Sequence, residues 1–323
     1  METDGKGTAG ADATRPHVAI IGKGALGLLQ AEFCVRRLGP DSVEFVMDEG
    51  RLARHAHETY RVNGQERAFK TVGPADARPA DLAIVAVKSL ALEGALPILE
   101  SVLTPDTPII SLLNGIRSEG VIAKRYGEGR VVGCVAQGMD AMRFGAELTF
   151  TKHGRLIVGA LPHTSPDIAA RAEQVLAAAG IPYEHSDDIV CRMWTKLMLN
   201  DGINQTCCAF GSTYGEVLSD RTGEQFRCLV AAMRETRVVA AAEGVDVPEG
   251  SLTELAESMG QLAPDGMPSM AQDRIAGRPT ELDEFAGEVC RRARAHGILV
   301  PTNEWLYQRI REIEKGYARK GDA

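Results

Sequence analysis

The sequence predicts an α/β fold in which a doubly wound sheet is followed by an all-helical domain. Short apolar runs alternate with helical patterns over the first half of the chain, which is typical of a parallel sheet with helices on both faces. From Ile189 onward this alternation ends and helical periodicity takes over. The chain has 323 residues, which is long for one core and sufficient for two domains.

The predicted strands of the first half are short, and helical segments or turns separate them. HVAII begins at His17, a helical segment LLQAEFCVRRLG follows, and the second strand is VEFVM. Further strands are predicted at DLAIVAV, PIISLL and RVVGCVA, with helices at ALEGALPILESV and EGVIAKRYG. We expect a strand pair, ELTFT and RLIVGA, to extend the same sheet before a helix over residues 166–179.

Charge and composition exclude several classes of function. The formal net charge is −8 and the basic residues are scattered, so nucleic acid and anionic membranes are not expected partners. No apolar run reaches the roughly eighteen residues of a membrane span, and no hydrophobic signal core is present, which predicts a cytoplasmic protein. The seven cysteines lack metal-ligand spacing, so we expect packed thiols and no metal site. A redox role for Cys207 and Cys208 is left open.

Gly22, Gly24 and Gly27 form a G-x-G-x-x-G motif between the first strand and the first helix. The first glycine permits a tight turn, the second lets the backbone approach a pyrophosphate, and the third lets helix and strand pack closely. The helix that starts here, with Ala25 and Leu26 in its first turn, offers free N–H groups to a phosphate. These features predict a Rossmann-type sheet that binds a dinucleotide.

We therefore divide the chain into three segments. Residues 1–16 are small and polar and are predicted to form a mobile tail. Residues 17–187 are predicted to be the dinucleotide-binding domain, and residues 188–323 a helical domain for substrate binding and dimerisation. The boundary near residue 187 is expected to be accurate to several residues.

The end of the second strand bears on the choice of cofactor. A carboxylate at this position, here Asp48, can bond the ribose hydroxyls of NAD and repel the 2′-phosphate of NADP. Arg51 and Arg54 follow, however, and arginine can bind a phosphate bidentately. The residues thus leave both NAD(H) and NADP(H) open. Lys88 and Asn114 end two further strands, at the edge where ligands bind in such sheets.

Lys196, Asn200 and Asn204 follow one another at a spacing of four residues. In a helix they would share one face, about 6 Å apart along the axis. The residues between them are mostly apolar, which predicts a buried helix whose polar groups need partners or a cleft. The alternative is a lysine that reaches the surface beside two capping asparagines.

Together these residues resemble the ketopantoate reductase family, whose members reduce 2-dehydropantoate to D-pantoate with a nicotinamide cofactor. The resemblance runs from about His17 to the C-terminus. Its motifs are GKGALG, the lysine of AVKS, the asparagine of LLNG, WTKLMLNDGIN, SMAQDRIAGRPTELDEFAG and ARAHGILVPTN. The family favours NADP as its cofactor.

The resemblance implies a role for each motif residue. Lys196 is expected to be the general acid, and Glu281 to bond a substrate hydroxyl or hold Lys196 in place. The expected substrate-binding residues are Asn200, Asn204, Ser269 and Asn114. The expected cofactor-binding residues are Gly22, Gly24, Ala25, Leu26, Gly27, Asp48, Lys88 and Asn114. The partner is a small 2-oxo acid, and a homodimer through the helical domain is expected.

Three positions depart from the family pattern, namely Gln205, Tyr214 and Gly266. Each is expected to remove or reshape a polar contact with the substrate. Asp48 and Tyr214 motivate an alternative, an NAD-dependent D-2-hydroxyacid dehydrogenase acting on a branched or aromatic 2-oxo acid. A non-catalytic nicotinamide-binding sensor is the alternative of another class. It would require the lysine or its carboxylate partner to be missing, and both are present.

Overall fold

A computed structural model describes residues 15–321, except 56–57, 252–258 and 260–262. Residues 1–14 of the predicted tail therefore lie outside the described residues. The strands are β1 (Val18–Ile21), β2 (Val43–Val46), β3 (Tyr60–Val62), β4 (Gln65–Arg67), β5 (Lys70–Val72), β6 (Leu82–Val85), β7 (Ile109–Ser111), β8 (Val131–Met139), β9 (Met142–Phe144), β10 (Glu147–Thr149), β11 (His153–Ala160) and β12 (Tyr183–His185).

Helices accompany these strands and make up the second half of the described chain. They are α1 (Ala25–Leu38), α2 (Glu49–His55), α3 (Leu92–Glu100), α4 (Ser118–Tyr126), α5 (Pro166–Ala179), α6 (Ile189–Leu199), a π-helix (Asn200–Asn204), α7 (Gln205–Phe210), α8 (Tyr214–Leu218), α9 (Glu224–Ala242), α10 (Ser269–Ile275), α11 (Ala286–Ala295) and α12 (Pro301–Gly321). Within the described ranges, none of the helices is both long and apolar enough to cross a membrane.

The main sheet has eight strands in the order β12-β11-β8-β7-β6-β1-β2-β5. The four residues of β1 and of β6 are all buried, because helices cover both faces of the sheet. Apolar side chains of the two faces contribute to separate clusters. The predicted fold class, a doubly wound sheet followed by helices, is confirmed.

Two details of the predicted sheet are wrong. β11 joins the main sheet, but it runs antiparallel to β8 rather than parallel. β10, which contains the first three residues of ELTFT, lies instead in a second sheet of four short strands in the order β4-β3-β10-β9. Alternating hydrophobicity identifies a strand but carries no information about its neighbours, so it could not place β10.

The helical half packs against the sheet through α6. The predicted boundary near residue 187 falls between β12 and α6, and the division into two domains stays a prediction. Gly133 of β8 allows the close approach, because a Cβ atom there would lie 2.9 Å from the side chain of Ile189. This contact brings the face of α6 that carries Lys196 to the end of β8.

Candidate active site

The glycine-rich turn between β1 and α1 is built by close backbone contacts. Gly22 has a φ of +115°, and a Cβ atom there would lie 2.5 Å from the carbonyl carbon of Ala86. A Cβ atom on Gly27 would lie 2.1 Å from the carbonyl oxygen of Gly22. Gly24 differs, since its nearest neighbour would be the oxygen of Ala86 at 3.7 Å. The turn thus leaves open space beside Gly24, where a pyrophosphate can approach the backbone.

A cleft extends from this turn to the ends of β6 and β7. Six of the eight residues predicted to bind cofactor line it: Gly22, Gly24, Ala25, Leu26, Lys88 and Asn114. Gly27 lies beneath the turn, and Asp48 is not among the lining residues. Glu281, from the helical half, lines the same cleft. Free N–H groups at the start of α1 and a long wall of polar and apolar residues fit a dinucleotide.

Asp48 is engaged at the start of α2. Its Oδ1 accepts a hydrogen bond of 2.9 Å from the backbone N–H of Arg51, and its Oδ2 lies 3.4 Å from Nε of the same residue. Arg51 and His55, one helical turn apart, line the cleft instead. Asp48 is thus paired with a cation, and the expectation that it leans the site toward NAD stays a prediction.

Lys23 is a basic residue of the cleft that the motif analysis did not single out. Its Nζ donates a hydrogen bond of 2.8 Å to Oγ1 of Thr71 and lies 4.0 Å from the centre of the Tyr60 ring. Burial lowers the pKa of Lys23 to about 8, against the opposing effect of Glu58. The position of this lysine inside the predicted phosphate-binding turn was the sequence signal that could have identified it as a cleft residue.

Arg143 also lines the cleft, and no sequence signal pointed to it. It projects from β9 of the small sheet and donates a hydrogen bond to the backbone oxygen of Lys23. Its guanidinium carbon lies 5.4 Å from the centre of the Tyr60 ring. Only the pairing of the second sheet brings this residue, which is 120 positions away in the chain, to the glycine-rich turn.

Asn114 and Glu281 meet at the far end of the cleft. Nδ2 of Asn114 donates a hydrogen bond of 2.9 Å to Oε2 of Glu281. The following Gly115 has a φ of +90°, and a Cβ atom there would lie 3.0 Å from the backbone oxygen of Glu284. The Asn-Gly dipeptide thus forms a turn and also permits the close approach of the segment that contains Glu281.

Lys196 lies partly buried at the edge of the sheet. Its Nζ donates a hydrogen bond of 2.8 Å to the backbone oxygen of Ala136 in β8. Burial lowers the pKa of Lys196, while Cys134, Glu281 and Glu119 act in the opposite direction. Glu281 is therefore close enough to act on the ammonium through charge, although the contacts of the described residues include no ion pair between the two side chains.

Glu119 is a second carboxyl group near Lys196 that sequence reasoning missed. It is 4% exposed, and its Oε2 accepts a hydrogen bond of 3.0 Å from Oγ of Ser118. Burial raises the pKa of Glu119 to about 7. Its position in the first turn of α4 resembles an ordinary helix start, so sequence alone offered no signal.

Asn200 and Asn204 lie in the π-helix that continues α6. Nδ2 of Asn204 donates to Oδ1 of Asn200 at 3.0 Å, and Oγ of Ser269 donates to Oδ1 of Asn204 at 3.3 Å. The structure thus brings these three predicted substrate residues together. The prediction of a regular α-helix through all three positions is wrong, because α6 ends at Leu199 and a wider π-helix follows.

Lys88 stands apart from this group at the mouth of the cleft. Its side chain is 72% exposed, and its Nζ lies 3.9 Å from Oδ1 of Asp273 in α10. The same oxygen accepts a hydrogen bond of 2.7 Å from Nε of Arg278. Lys88 thus makes a weak, solvent-exposed contact between the two halves of the chain.

The three departures from the family pattern differ in burial, since Gln205 is buried whereas Tyr214 and Gly266 are partly exposed. Gln205 is fully buried and bonds to Asp201 and to the backbone N–H of Ala286. The ring of Tyr214 packs over Gly266, where a Cβ atom would lie 3.2 Å from the ring. None of the three lines the cofactor cleft, and the expectation that each one reshapes a contact with the substrate stays a prediction.

Cys207 and Cys208 are fully buried in the helical core. Burial raises the pKa of each thiol to about 12. All seven cysteines are free in the structure. Neither residue has the low pKa or the exposure that redox-active cysteines require.

Comparison with known families agrees with this geometry. Residues 18–163 match the model of "Ketopantoate reductase PanE/ApbA", and residues 188–314 match that of "Ketopantoate reductase PanE/ApbA C terminal". A 2-dehydropantoate 2-reductase of Archaeoglobus fulgidus is 27% identical over 302 residues, which cover 93% of this chain and 98% of that protein.

Two solved structures show the same fold. A PanE/ApbA family ketopantoate reductase from Ralstonia eutropha JMP134 has a TM-score of 0.78 at 26% identity, covering 94% of this chain and 99% of that one. A D-mandelate dehydrogenase bound to NADH and anilino(oxo)acetate has a TM-score of 0.80 at 21% identity, with the same coverage. At that identity the second likeness concerns the fold alone. The resemblance inferred from the motifs is confirmed, and the chain belongs to the ketopantoate reductase family of nicotinamide-dependent 2-oxo-acid reductases.

Proposed function

We propose that this protein reduces 2-dehydropantoate to D-pantoate, a step of pantothenate biosynthesis, with Lys196 as the proton donor. One observation carries the proposal. The cleft that begins at the glycine-rich turn ends at the Asn114–Glu281 hydrogen bond, and Glu281 is near enough to raise the pKa of Lys196. Glu281 thus lines the cofactor cleft and also acts through charge on a proton donor whose pKa is lowered.

The reaction requires a hydride at the 2-oxo carbon and a proton at the oxygen. The reduced nicotinamide supplies the hydride when it is bound. Lys196 supplies the proton, and its lowered pKa makes it a better acid at neutral pH than an ordinary lysine. Glu281 keeps a negative charge near the ammonium and limits how far burial can lower its pKa.

The polar face formed by Asn200, Asn204 and Ser269 supports a role in holding the substrate. Asn200 and Asn204 lie one and two turns beyond Lys196 and are hydrogen-bonded to each other. Ser269 of α10 joins them through its hydrogen bond to Asn204. Carboxamides and hydroxyls of this kind can bond the hydroxyl and carboxylate groups of the substrate. Such positioning lowers the entropic cost of reaching the transition state.

We further propose that NADPH is the preferred cofactor. Lys23, Arg51, His55 and Arg143 line the part of the cleft near the ends of β1 and β2, where the adenosine ribose lies in Rossmann-type sheets. Positively charged donors bind a 2′-phosphate strongly. Asp48, which would repel this phosphate, is instead paired with Arg51.

The D-2-hydroxyacid dehydrogenase alternative loses the support of Asp48, which is paired with Arg51 and does not line the cleft. The effect of Tyr214 on the substrate stays a prediction. This alternative is therefore kept as an outcome of the substrate test. A homodimer through the helical domain and a location in the cytoplasm likewise stay predictions, which sedimentation and cell fractionation can check.

The proposal is tested by steady-state turnover of a panel of 2-oxo acids with NADPH and with NADH. We expect 2-dehydropantoate with NADPH to have the highest kcat/KM. Lys196→Ala should lower kcat by roughly 10²- to 10⁴-fold, the usual contribution of a general acid, with NADPH binding unchanged. Lys124→Ala, which removes an exposed lysine of α4, is the matched control. A Lys196→Ala enzyme as fast as the parent would contradict the mechanism, and preference for a branched or aromatic 2-oxo acid with NADH would favour the alternative.

A further inference from the structure

Asp201 is a buried carboxyl group for which the proposed mechanism has no use. It lies in the π-helix between Asn200 and Asn204 and is fully buried. A Cβ atom on the next residue, Gly202, would lie 2.5 Å from Cγ of Met233 in α9. The back of the π-helix is therefore pressed against α9, and Asp201 is enclosed between them.

The hydroxyl of Thr236 has two close oxygen neighbours, and its single hydrogen cannot serve both of them if Asp201 is ionised. Oγ1 of Thr236 lies 2.5 Å from Oδ2 of Asp201 and 3.0 Å from the backbone oxygen of Ala232. A hydroxyl has one hydrogen, and both neighbours would be acceptors. A proton on Oδ2 of Asp201 resolves this, since the acid then donates to Thr236 and Thr236 donates to Ala232.

The other oxygen of Asp201 is an acceptor. The backbone N–H of Ala286 can only donate, so it fixes the Oε1 atom of Gln205 at a distance of 3.1 Å. Nε2 of Gln205 must then point toward Asp201, where it donates to Oδ1 and, at 3.0 Å, to the backbone oxygen. Oδ2 is consequently the oxygen that carries the proton.

We propose that Asp201 is a neutral carboxylic acid in the folded protein and is a positioning residue, which holds the π-helix so that Asn200 and Asn204 face the substrate. The effect on substrate rests on the proposed function. Gln205 extends the same network to Ala286, the first residue of α11, five positions after Glu281. One buried acid thus connects the back of the asparagine face with the segment that carries Glu281.

The surroundings disfavour ionisation of Asp201. Burial raises its pKa to about 7, and the negative charge of Glu235 on α9 acts in the same direction. Hydrogen bonds with Thr236, Asn303 and Gln205 act in the opposite direction without cancelling the effect of burial. The helices that pack on the π-helix carry these other titratable or charged side chains: Cys191, Arg192 and Lys196 of α6, Cys207 and Cys208 of α7, Glu224, Arg227, Cys228, Arg234 and Arg237 of α9, and Asp273 and Arg274 of α10. Cys290 of α11 also interacts with Asp201 through charge. Of these, Lys196 is hydrogen-bonded to Ala136, and Asp273 to Arg278.

Asp201→Asn is the decisive variant, because its Nδ2 can donate to Thr236 as the protonated acid does. The folded pKa of about 7 exceeds the unfolded value of about 3.9. The folded protein therefore holds a proton that the unfolded chain releases, and the parent loses stability as pH rises across this interval. We expect the difference in Tm between Asp201→Asn and the parent, in favour of the variant, to increase from pH 4 to pH 7 and to stay constant above pH 7. Asp201→Ala should be less stable than Asp201→Asn at every pH.

Infrared spectroscopy detects the proton directly. The difference spectrum of the parent minus Asp201→Asn at pH 6 should contain a carboxylic-acid C=O band, which separates Asp201 from Glu119. Thr236→Val removes the hydroxyl that accepts the proton of Asp201, so this band should shift to higher frequency. The comparison of Thr236→Val with the parent does not require Asp201→Asn to fold. Absence of the band, or a Tm difference that is independent of pH, would overturn the proposal.

Kinetics test the positioning role separately. Above pH 7 the KM for the 2-oxo acid should rise more in the parent than in Asp201→Asn. The KM for NADPH should change with pH in the same way in both proteins. Identical pH dependence of the substrate KM would exclude positioning. Failure of the proposed function would instead appear in Lys196→Ala, and the infrared and Tm results do not depend on it.

Discussion

Nδ2 of Asn114 lies 2.9 Å from Oε2 of Glu281, although 167 positions separate the two residues in the chain. The contact joins the end of β7 to the segment that precedes α11 and closes the far end of the cleft. Glu281 is also one of the groups that raise the pKa of Lys196. This hydrogen bond therefore fixes the position of a charge that acts on the proposed proton donor.

Glu281→Gln should move the pH dependence of turnover. The variant removes a negative charge that raises the pKa of Lys196, so the ammonium should lose its proton at lower pH. The alkaline limb of kcat, measured by NADPH oxidation, should shift to lower pH. Asp283→Asn, at an exposed carboxylate bonded to Tyr307, should leave this limb in place. An unchanged limb in Glu281→Gln would show that Glu281 does not act on Lys196.

The affinity for NADPH should depend on the protonation of Lys23. Its pKa is lowered to about 8, so its positive charge is lost as pH rises through this value and the Kd for NADPH should increase. Lys23→Ala should weaken NADPH binding by roughly ten-fold or more, the contribution of one charged hydrogen bond, and remove this pH dependence. NADH binding, measured by fluorescence titration, should change little. The exposed Lys152→Ala is the control, and equal losses for both cofactors would argue against a contact with the 2′-phosphate.

Gly22 and Gly24 should respond differently to the same added methyl group. Gly22→Ala forces a φ of +115° and a contact of 2.5 Å on the alanine, so the protein should unfold at lower temperature. Gly24→Ala has its nearest neighbour at 3.7 Å and should keep the Tm of the parent but lose cofactor affinity, because the methyl group enters the cleft. Calorimetry and NADPH titration separate the two effects. Full NADPH binding by Gly24→Ala would place the pyrophosphate elsewhere.

Cys207 and Cys208 should resist alkylation in the folded protein. Their thiols are buried and have pKa values of about 12, so almost no thiolate is present at pH 8. Iodoacetamide followed by mass spectrometry should label Cys191 and Cys228, which are partly exposed, long before this pair. Early labelling of Cys207 or Cys208 in the native protein would revive a redox role.

Several elements were predictable because their physical signals are local. The strand VEFVM and the glycine-rich turn carry patterns that a short segment satisfies by itself. The pairing of β10 with β3 and the antiparallel β11 were not predictable, because both depend on which strands meet after folding. The π-helix was also missed. The π-helix packs on α9, where Thr236 bonds to Asp201, and these contacts do not appear in a spacing of four.

Sequence by itself determined the family, the glycine-rich turn and the identity of Lys196, Asn200 and Asn204, since each rests on residue types at fixed spacing. Tertiary structure alone decided how these residues are used. It brought Lys23 and Arg143 to the cleft, bonded Gln205 to the backbone of Ala286 and bonded Asn114 to Glu281. The reason is that charge and hydrogen bonding depend on distances between side chains, and the chain sets those distances only when distant segments pack together.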